Sequence, residues 1–187
     1  MVEVMGADDP GTLFTLSNLA YFLAKSETDG PDSLDRAERL YEELVQRRRR
    51  VLGPTHPHTL DTLRNWARVQ GEIGGAHAAA SAYQRLLEKD LHPLEATNPL
   101  RMATELDYAT ALAEAGELAG TRSVVSGLAA RMGERPDRER IMATIGEYGD
   151  VEGSRRRIDR LHAALASADA DAEEPRAITM SWVAALG

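Results

Sequence analysis

An all-α fold, an α-solenoid of about four helix-turn-helix pairs closed by a C-terminal helix, is what the sequence predicts, and three observations carry it. Three landmarks recur with one offset: Asn65-Trp66-Ala67 falls on Asp107-Tyr108-Ala109, His56-Pro57 on Asn98-Pro99 and Gly74 on Gly116, each 42 residues apart. Repeats of that length are helix pairs, which stack because one pair cannot bury its own apolar face. Within each unit, apolar residues return at three- and four-residue spacing, the period of a half-buried helix. Aromatic residues are only 5% of the chain and Ala is abundant, which suits closely packed helices and leaves little material for strands. With 187 residues, the chain divides by this reading into a solenoid over 1–166, an acidic linker over 167–175 and an amphipathic helix over 176–187.

The first helix starts at Asp9-Pro10, where Asp caps and Pro occupies a position whose N–H has no helical partner. It runs to about Lys25 and buries Leu13, Leu16, Leu19, Ala20 and Leu23. The stretch Ser26 to Ser33 breaks it, and a second helix from about Leu34 to Val51 turns Ala37, Leu40, Tyr41 and Leu44 inward. Aligning Ala20 with Ala67 and Ala37 with Ala79 makes the turn of this first pair five residues longer than that of the second, an extended surface loop. The second pair begins at His56-Pro57, turns at Gly74-Gly75 and returns through Ala79, Tyr83, Leu86 and Leu87. The third carries Leu106, Tyr108, Ala109 and Leu112, turns at Gly116, and returns through Val124, Val125 and Leu128.

A fourth pair follows at a shorter step of 33 residues from Gly116 to Gly149, with helices over about Pro136 to Tyr148 and Val151 to Ala166. The small, acidic, aperiodic run Ser167 to Pro175 reads as a linker. Arg176 to Leu186 then places Ile178, Trp182, Val183 and Leu186 on one stripe. Three roles stay open for this helix: a cap on the exposed end of the array, a pseudo-ligand for the chain's own groove, or a clasp that makes a homodimer.

With these landmarks in place, the chain resembles the tetratricopeptide repeats, specifically the long-repeat kind of kinesin light chains and bacterial signalling ATPases. Leu52-Gly53-Pro54-Thr55-His56-Pro57-His58-Thr59-Leu60 matches the loop of those repeats, followed by Asn65-Trp66-Ala67, Gly74, and Ala79 with Tyr83. The first pair keeps Asn18-Leu19-Ala20 and Ala37 with Tyr41; the third departs at Asp107, Thr121 and Val125; the fourth holds only Gly149, Ser154, Ile158 and Leu161 in phase. The resemblance implies a right-handed superhelix whose first helices line a concave groove that binds a peptide or partner protein. It also implies that Asn18 and Asn65 form rungs of an amide ladder along an extended peptide. A primary amide suits that task, because it donates to a C=O and accepts from an N–H with no charge to desolvate. Asp107 stands at the third rung, where an ionised carboxylate accepts but does not donate.

Helical spacing puts Arg64 and Arg68 one turn apart beside Asn65, with Tyr21 and Lys25 at the corresponding part of the first pair. Two readings stay open: a basic, aromatic pocket for a carboxylate-bearing ligand, or a solvated face with internal ion pairs to Asp61 and Glu72. The peptide-contact set is therefore Asn18, Tyr21, Arg64, Asn65, Arg68 and Asp107.

The four-Arg run Arg47 to Arg50 ends the second helix, where cations favour the helix dipole and stay hydrated. A nucleic-acid patch is disfavoured, since no aromatic platform or second basic stretch accompanies the run and the net charge is −8. His56 and His58 belong to the loop motif, and His77, His92 and His162 have no metal-ligand spacing. No nucleophile motif, phosphate loop or dinucleotide fingerprint appears. The expectation is accordingly a non-catalytic scaffold or adaptor with a protein or peptide partner and no metal or cofactor; the alternative is an enzyme or small-molecule sensor on the same repeats. Groove shape separates them, an open polar trough favouring a peptide and a closed apolar pocket a small molecule. The absence of an apolar run of about 18 residues and of a signal-like N-terminus suggests a cytoplasmic protein with no membrane contact, while the absence of Cys excludes disulfides and thiolate metal sites without indicating the redox compartment. Positive charge carried almost wholly by Arg, with Lys only at 25 and 89, suggests a bacterial source.

Overall fold

In the computed structural model, residues 6–26 and 31–131 are described. Six helices and no strand form among them: α1 Pro10–Lys25, α2 Pro31–Val51, α3 Pro57–Gly74, α4 Ala76–Lys89, α5 Pro99–Glu114 and α6 Leu118–Arg131. The chain forms two compact units, one ending at His92 and the other beginning at Pro93. In the first, α1 packs on α2, α2 on α3 and α3 on α4; in the second, α5 packs on α6. Consecutive antiparallel pairs of this kind are the packing of an α-solenoid. The fourth pair, the acidic linker and the C-terminal helix expected from the sequence lie outside the described residues.

One start signal opens α1, α3 and α5 alike. Asp9, His56 and Asn98 are extended N-cap residues, each followed by Pro in the first turn. The Asp9 carboxylate accepts from the Gly11 N–H at 2.8 Å, His56 Nδ1 from the His58 N–H at 3.2 Å, and Asn98 Oδ1 from the N–H groups of Leu100 and Arg101 at 3.0 and 3.3 Å. These contacts satisfy amides that the helix itself leaves unpaired.

Several boundaries differ from the sequence reading. α2 begins at Pro31 rather than near Leu34, because Pro31, Asp32 and Ser33 make a good first helical turn: Pro needs no N–H partner there and the acid favours the helix dipole. α3 continues through Gly74, so the left-handed residue of that turn is Gly75 (φ +80°), whereas in the third pair it is Gly116 (φ +78°). The shorter α5 accounts for the slip, since α4 and α6 still start 42 residues apart.

The core of the first unit is Ala20, Leu23, Ala24, Ala37, Tyr41 and Val69, with Leu40 and Trp66 packed against it. Ala20, Ala37 and Ala109 are fully buried and Ala67 nearly so, as close helix contacts require. The tightest approach joins α3 to α4, where a Cβ on Gly71 would meet the Ala79 methyl at 2.5 Å. In the second unit Met102 to Leu106 are all buried, and Glu105 is held by Arg101 at 3.3 Å and by Arg131 of α6. Leu19, expected inside, is exposed, and so are Phe14 and Phe22. On α3 the place of Leu19 is taken by Trp66, which α2 partly covers; no helix precedes α1 among the described residues to do the same.

Candidate functional site

The inner edges of α1, α2 and α3 enclose a cleft of about 500 Å³, all of it within the first unit. α1 contributes Phe14, Asn18 and Tyr21, spaced four and three residues apart and so on one stripe. His58, Asp61 and Asn65 come from α3 at spacings of three and four, and Tyr41 and Arg48 from α2 two turns apart. Pro10, Leu13 and Leu52 add apolar wall. Phe14 is 64% and Tyr21 46% exposed, so the walls open to solvent.

Arg48 is the structural centre of the floor. Only 6% exposed, it donates through Nη1 to the His58 carbonyl at 2.9 Å and to the Thr62 hydroxyl, which itself donates to the same carbonyl at 2.7 Å. The guanidinium thus pins the first turn of α3 to α2. Burial lowers its pKa, opposed by the charges of Asp61 and Tyr41. The expectation that the four-Arg run stays hydrated is corrected at Arg48, which is buried; Arg49 and Arg50 remain exposed and, like Arg47, have partners. Arg47 reaches the Ala7 carbonyl at 2.8 Å and Glu43, Arg49 pairs with Asp90, and Arg50 with Asp8 at 2.8 Å. Position explains the difference, because Arg48 follows Tyr41 and Leu44 by seven and four residues and so continues the buried stripe of α2. That spacing is the signal by which the sequence marks it.

Two further titratable groups of the cleft are displaced by burial. The Asp61 carboxyl is pushed up by desolvation, and Arg64, Arg48 and His58 pull it partly back. The Tyr41 phenol is pushed up to about 12, again chiefly by burial, with the Arg68 charge opposing. Asn65 Nδ2 stands 3.5 Å from an Asp61 oxygen, a loose contact that leaves the amide able to bond elsewhere.

Of the six residues expected to contact a ligand, the structure brings Asn18, Tyr21 and Asn65 into this one cleft. Arg68 sits beside it, its guanidinium 5.8 Å from the centre of the Tyr21 ring and paired with Glu72 at 2.6 Å. Half-buried Arg64 acts on the cleft through its charge on Asp61. Asp107 belongs to α5 in the other unit. Arg48, Asp61 and Phe14 are among the cleft residues that sequence reasoning did not single out as contacts. Among the described residues no group of three or more His, Asp or Glu side chains is arranged to hold a metal ion, and no helix is long and apolar enough to cross a membrane.

Residues 32–90, which span α2, α3 and α4, match the family model described as Tetratricopeptide repeat. The match takes in Arg48, Asp61 and Asn65. No curated protein matches the chain.

Proposed function

We propose that this chain, which belongs to the tetratricopeptide-repeat proteins, is a non-catalytic adaptor that holds an extended segment of a partner protein in the cleft between α1, α2 and α3. Repeats of this family mediate contacts between proteins, and in this chain that role falls to one cleft. The observation that carries it is the meeting of Asn18 and Asn65. They occupy matching places on α1 and α3, and both line a trough whose walls are open and partly aromatic.

An extended peptide has unpaired C=O and N–H groups along its length, and two uncharged amides serve both without a desolvated charge. Phe14 and Tyr21 offer flat apolar surface to its side chains at low entropic cost. Asp61, desolvated and only loosely bonded to Asn65, is suited to accept from a cationic side chain or an N–H of the bound segment. Open walls favour this reading over a small-molecule sensor, whose ligand is usually enclosed. The compositional signs of a bacterial cytoplasm supply its setting.

The test is selection of peptides from a random display library on the purified chain, followed by affinity measurement with single synthetic peptides. Each lost hydrogen bond is worth about 0.5–1.5 kcal/mol, so the Asn18→Ala/Asn65→Ala double variant should weaken a selected peptide by roughly ten-fold or more while its helicity is unchanged. Peptides whose affinity survives the double change bind elsewhere, and that result removes the cleft from the reading.

A further inference from the structure

The outer face of α1 lies beside the cleft and is not used by it. Four of the six large hydrophobic side chains most exposed among the described residues sit on this one helix: Phe14 and Tyr21 line the cleft, and Leu19 and Phe22 belong to the outer face. Comparison with α3 shows what such a face is for. Thr62 and Val69 of α3, both fully buried, correspond to Thr15 and Phe22 of α1, which are exposed, Phe22 at 69%. In α3 that face packs against α2: Val69 joins Tyr41 in the core, and Thr62 bonds Arg48. Among the described residues, α1 thus carries, uncovered, the surface that the repeat uses to receive a neighbouring helix.

We propose that a second copy of this chain covers it, through antiparallel packing of α1 on α1 about a two-fold axis. Three features favour a copy over an unrelated helix. α1 has a single charged residue in its 16, Lys25 at the C-terminal end, so pairing it with itself opposes no like charges along the face. Reversal of direction sets Lys25 of each copy toward Asp9, the acidic cap of the other, and opposes the two helix dipoles favourably. The stripe is also self-complementary in size: with Leu19 meeting its own copy near the axis, the large Phe22 falls over the small Thr15 of the other chain. The Phe22 ring is already braced, its centre 6.0 Å from that of Tyr21 in an edge-to-face contact. An isologous contact closes on itself and therefore stops at two chains.

Thr15, Leu19 and Phe22 do not line the cleft, so failure of this inference and failure of the peptide-binding reading are separable. The experiment is sedimentation of the full chain over a wide concentration range. The expected result is a mass that rises from one chain to two, and Phe22→Asp or Leu19→Asp chains that stay at one; each is an exposed position, and unchanged helicity by circular dichroism verifies the fold. Register is tested by mixing: Phe22→Asp chains and Thr15→Arg chains, each monomeric alone, should form a dimer together, since the new acid then faces the new base. A wild-type chain that stays at one mass throughout overturns the proposal, including the case in which Phe22→Asp lowers its melting temperature because the face is covered from within the same chain. So does a dimer indifferent to both aspartate substitutions.

Discussion

Gly71→Ala sets two opposing effects against each other at the α3–α4 crossing, and their magnitudes decide the sign. Within a helix, Ala is favoured over Gly by about 1 kcal/mol, so an unhindered replacement would stabilise the chain. At this crossing the new methyl would lie 2.5 Å from the Ala79 Cβ, about 1 Å inside the closest comfortable separation of two carbons. Overpacking of that kind costs roughly 1–3 kcal/mol. The repeat itself bounds the relaxation: the matching pairs Ala24 with Ala37 and Ala113 with Thr121 carry a Cβ on both sides, so a slightly wider crossing is attainable in this architecture. The net expectation is a loss of about 1 kcal/mol, read as a fall of roughly 2–4 °C in melting temperature. Ala79→Gly should cost up to about 1 kcal/mol through propensity. The swap of both residues restores one methyl at the crossing and should be close to neutral, a coupling of about 2 kcal/mol. Urea and thermal unfolding of the four chains measure the cycle. A stabilised Gly71→Ala chain, or strictly additive single changes, would refute the close approach.

Three further predictions follow from the packing and the cleft. Ala67→Leu inserts a large side chain at a site only 4% exposed and should cost about 1–3 kcal/mol by thermal unfolding; unchanged stability would count against the alignment of Ala67 with Ala20 and Ala109. The folded state holds the Asp61 proton more tightly than the unfolded chain, whose carboxyl titrates near its ordinary 3.8; the stability from this group is therefore full below that pH and is lost as pH rises through the raised folded value. Asp61→Asn should remove that loss, raising stability at neutral pH relative to wild type while weakening cleft ligands, as urea unfolding across pH and peptide titration will show. Tyr41, moved from 10.0 to about 12, keeps its proton in the folded state where the unfolded chain loses it, so its stabilisation falls as pH climbs from about 10 to 12. Ultraviolet titration should show the Tyr41 phenol ionising late, a contribution that Tyr41→Phe should remove.

Local signals were the legible ones. Asp9-Pro10, His56-Pro57 and Asn98-Pro99 announce helix starts because a polar cap and a proline each solve the same problem of unpaired amides, and all three open helices. Buried Ala20, Ala37, Ala67 and Ala109 were readable because only a small side chain suits a close crossing at a repeated position. What stayed hidden depends on neighbours distant in sequence. Leu19 fits an inward stripe by period alone, yet period cannot say whether a helix lies beyond it. The Gly74 and Gly116 landmarks coincide in sequence but not in conformation, since the lengths of α3 and α5 differ and the reversal falls on Gly75 in one and Gly116 in the other. At the cleft, the amides of Asn18 and Asn65 were visible from their matching places. Asp61 was not, because its importance lies in desolvation by α2 and its neighbours rather than in its own local pattern.

Arg48 and Asp61 together explain why the cleft lies where it does. Two buried or half-buried charges beside one another do not make a stable core on their own account, since a well-packed apolar pair of similar volume is often neutral or better. Arg48 offsets its desolvation by bonding the His58 carbonyl and the Thr62 hydroxyl, which fixes the first turn of α3 and with it the spacing of His58, Asp61 and Asn65 along the trough. Asp61 meets Asn65 of its own helix at 3.5 Å and feels the charges of Arg64, Arg48 and His58, yet burial holds its carboxyl above the ordinary range. A group that works against stability at neutral pH, positioned by one that organises the adjacent helix, is the arrangement expected where binding rather than packing sets the residue. The same logic separates the two faces of α1, for Asn18 turns a neutral amide to the cleft while Phe22 turns bare hydrocarbon away from it, and only the second gains by meeting another helix.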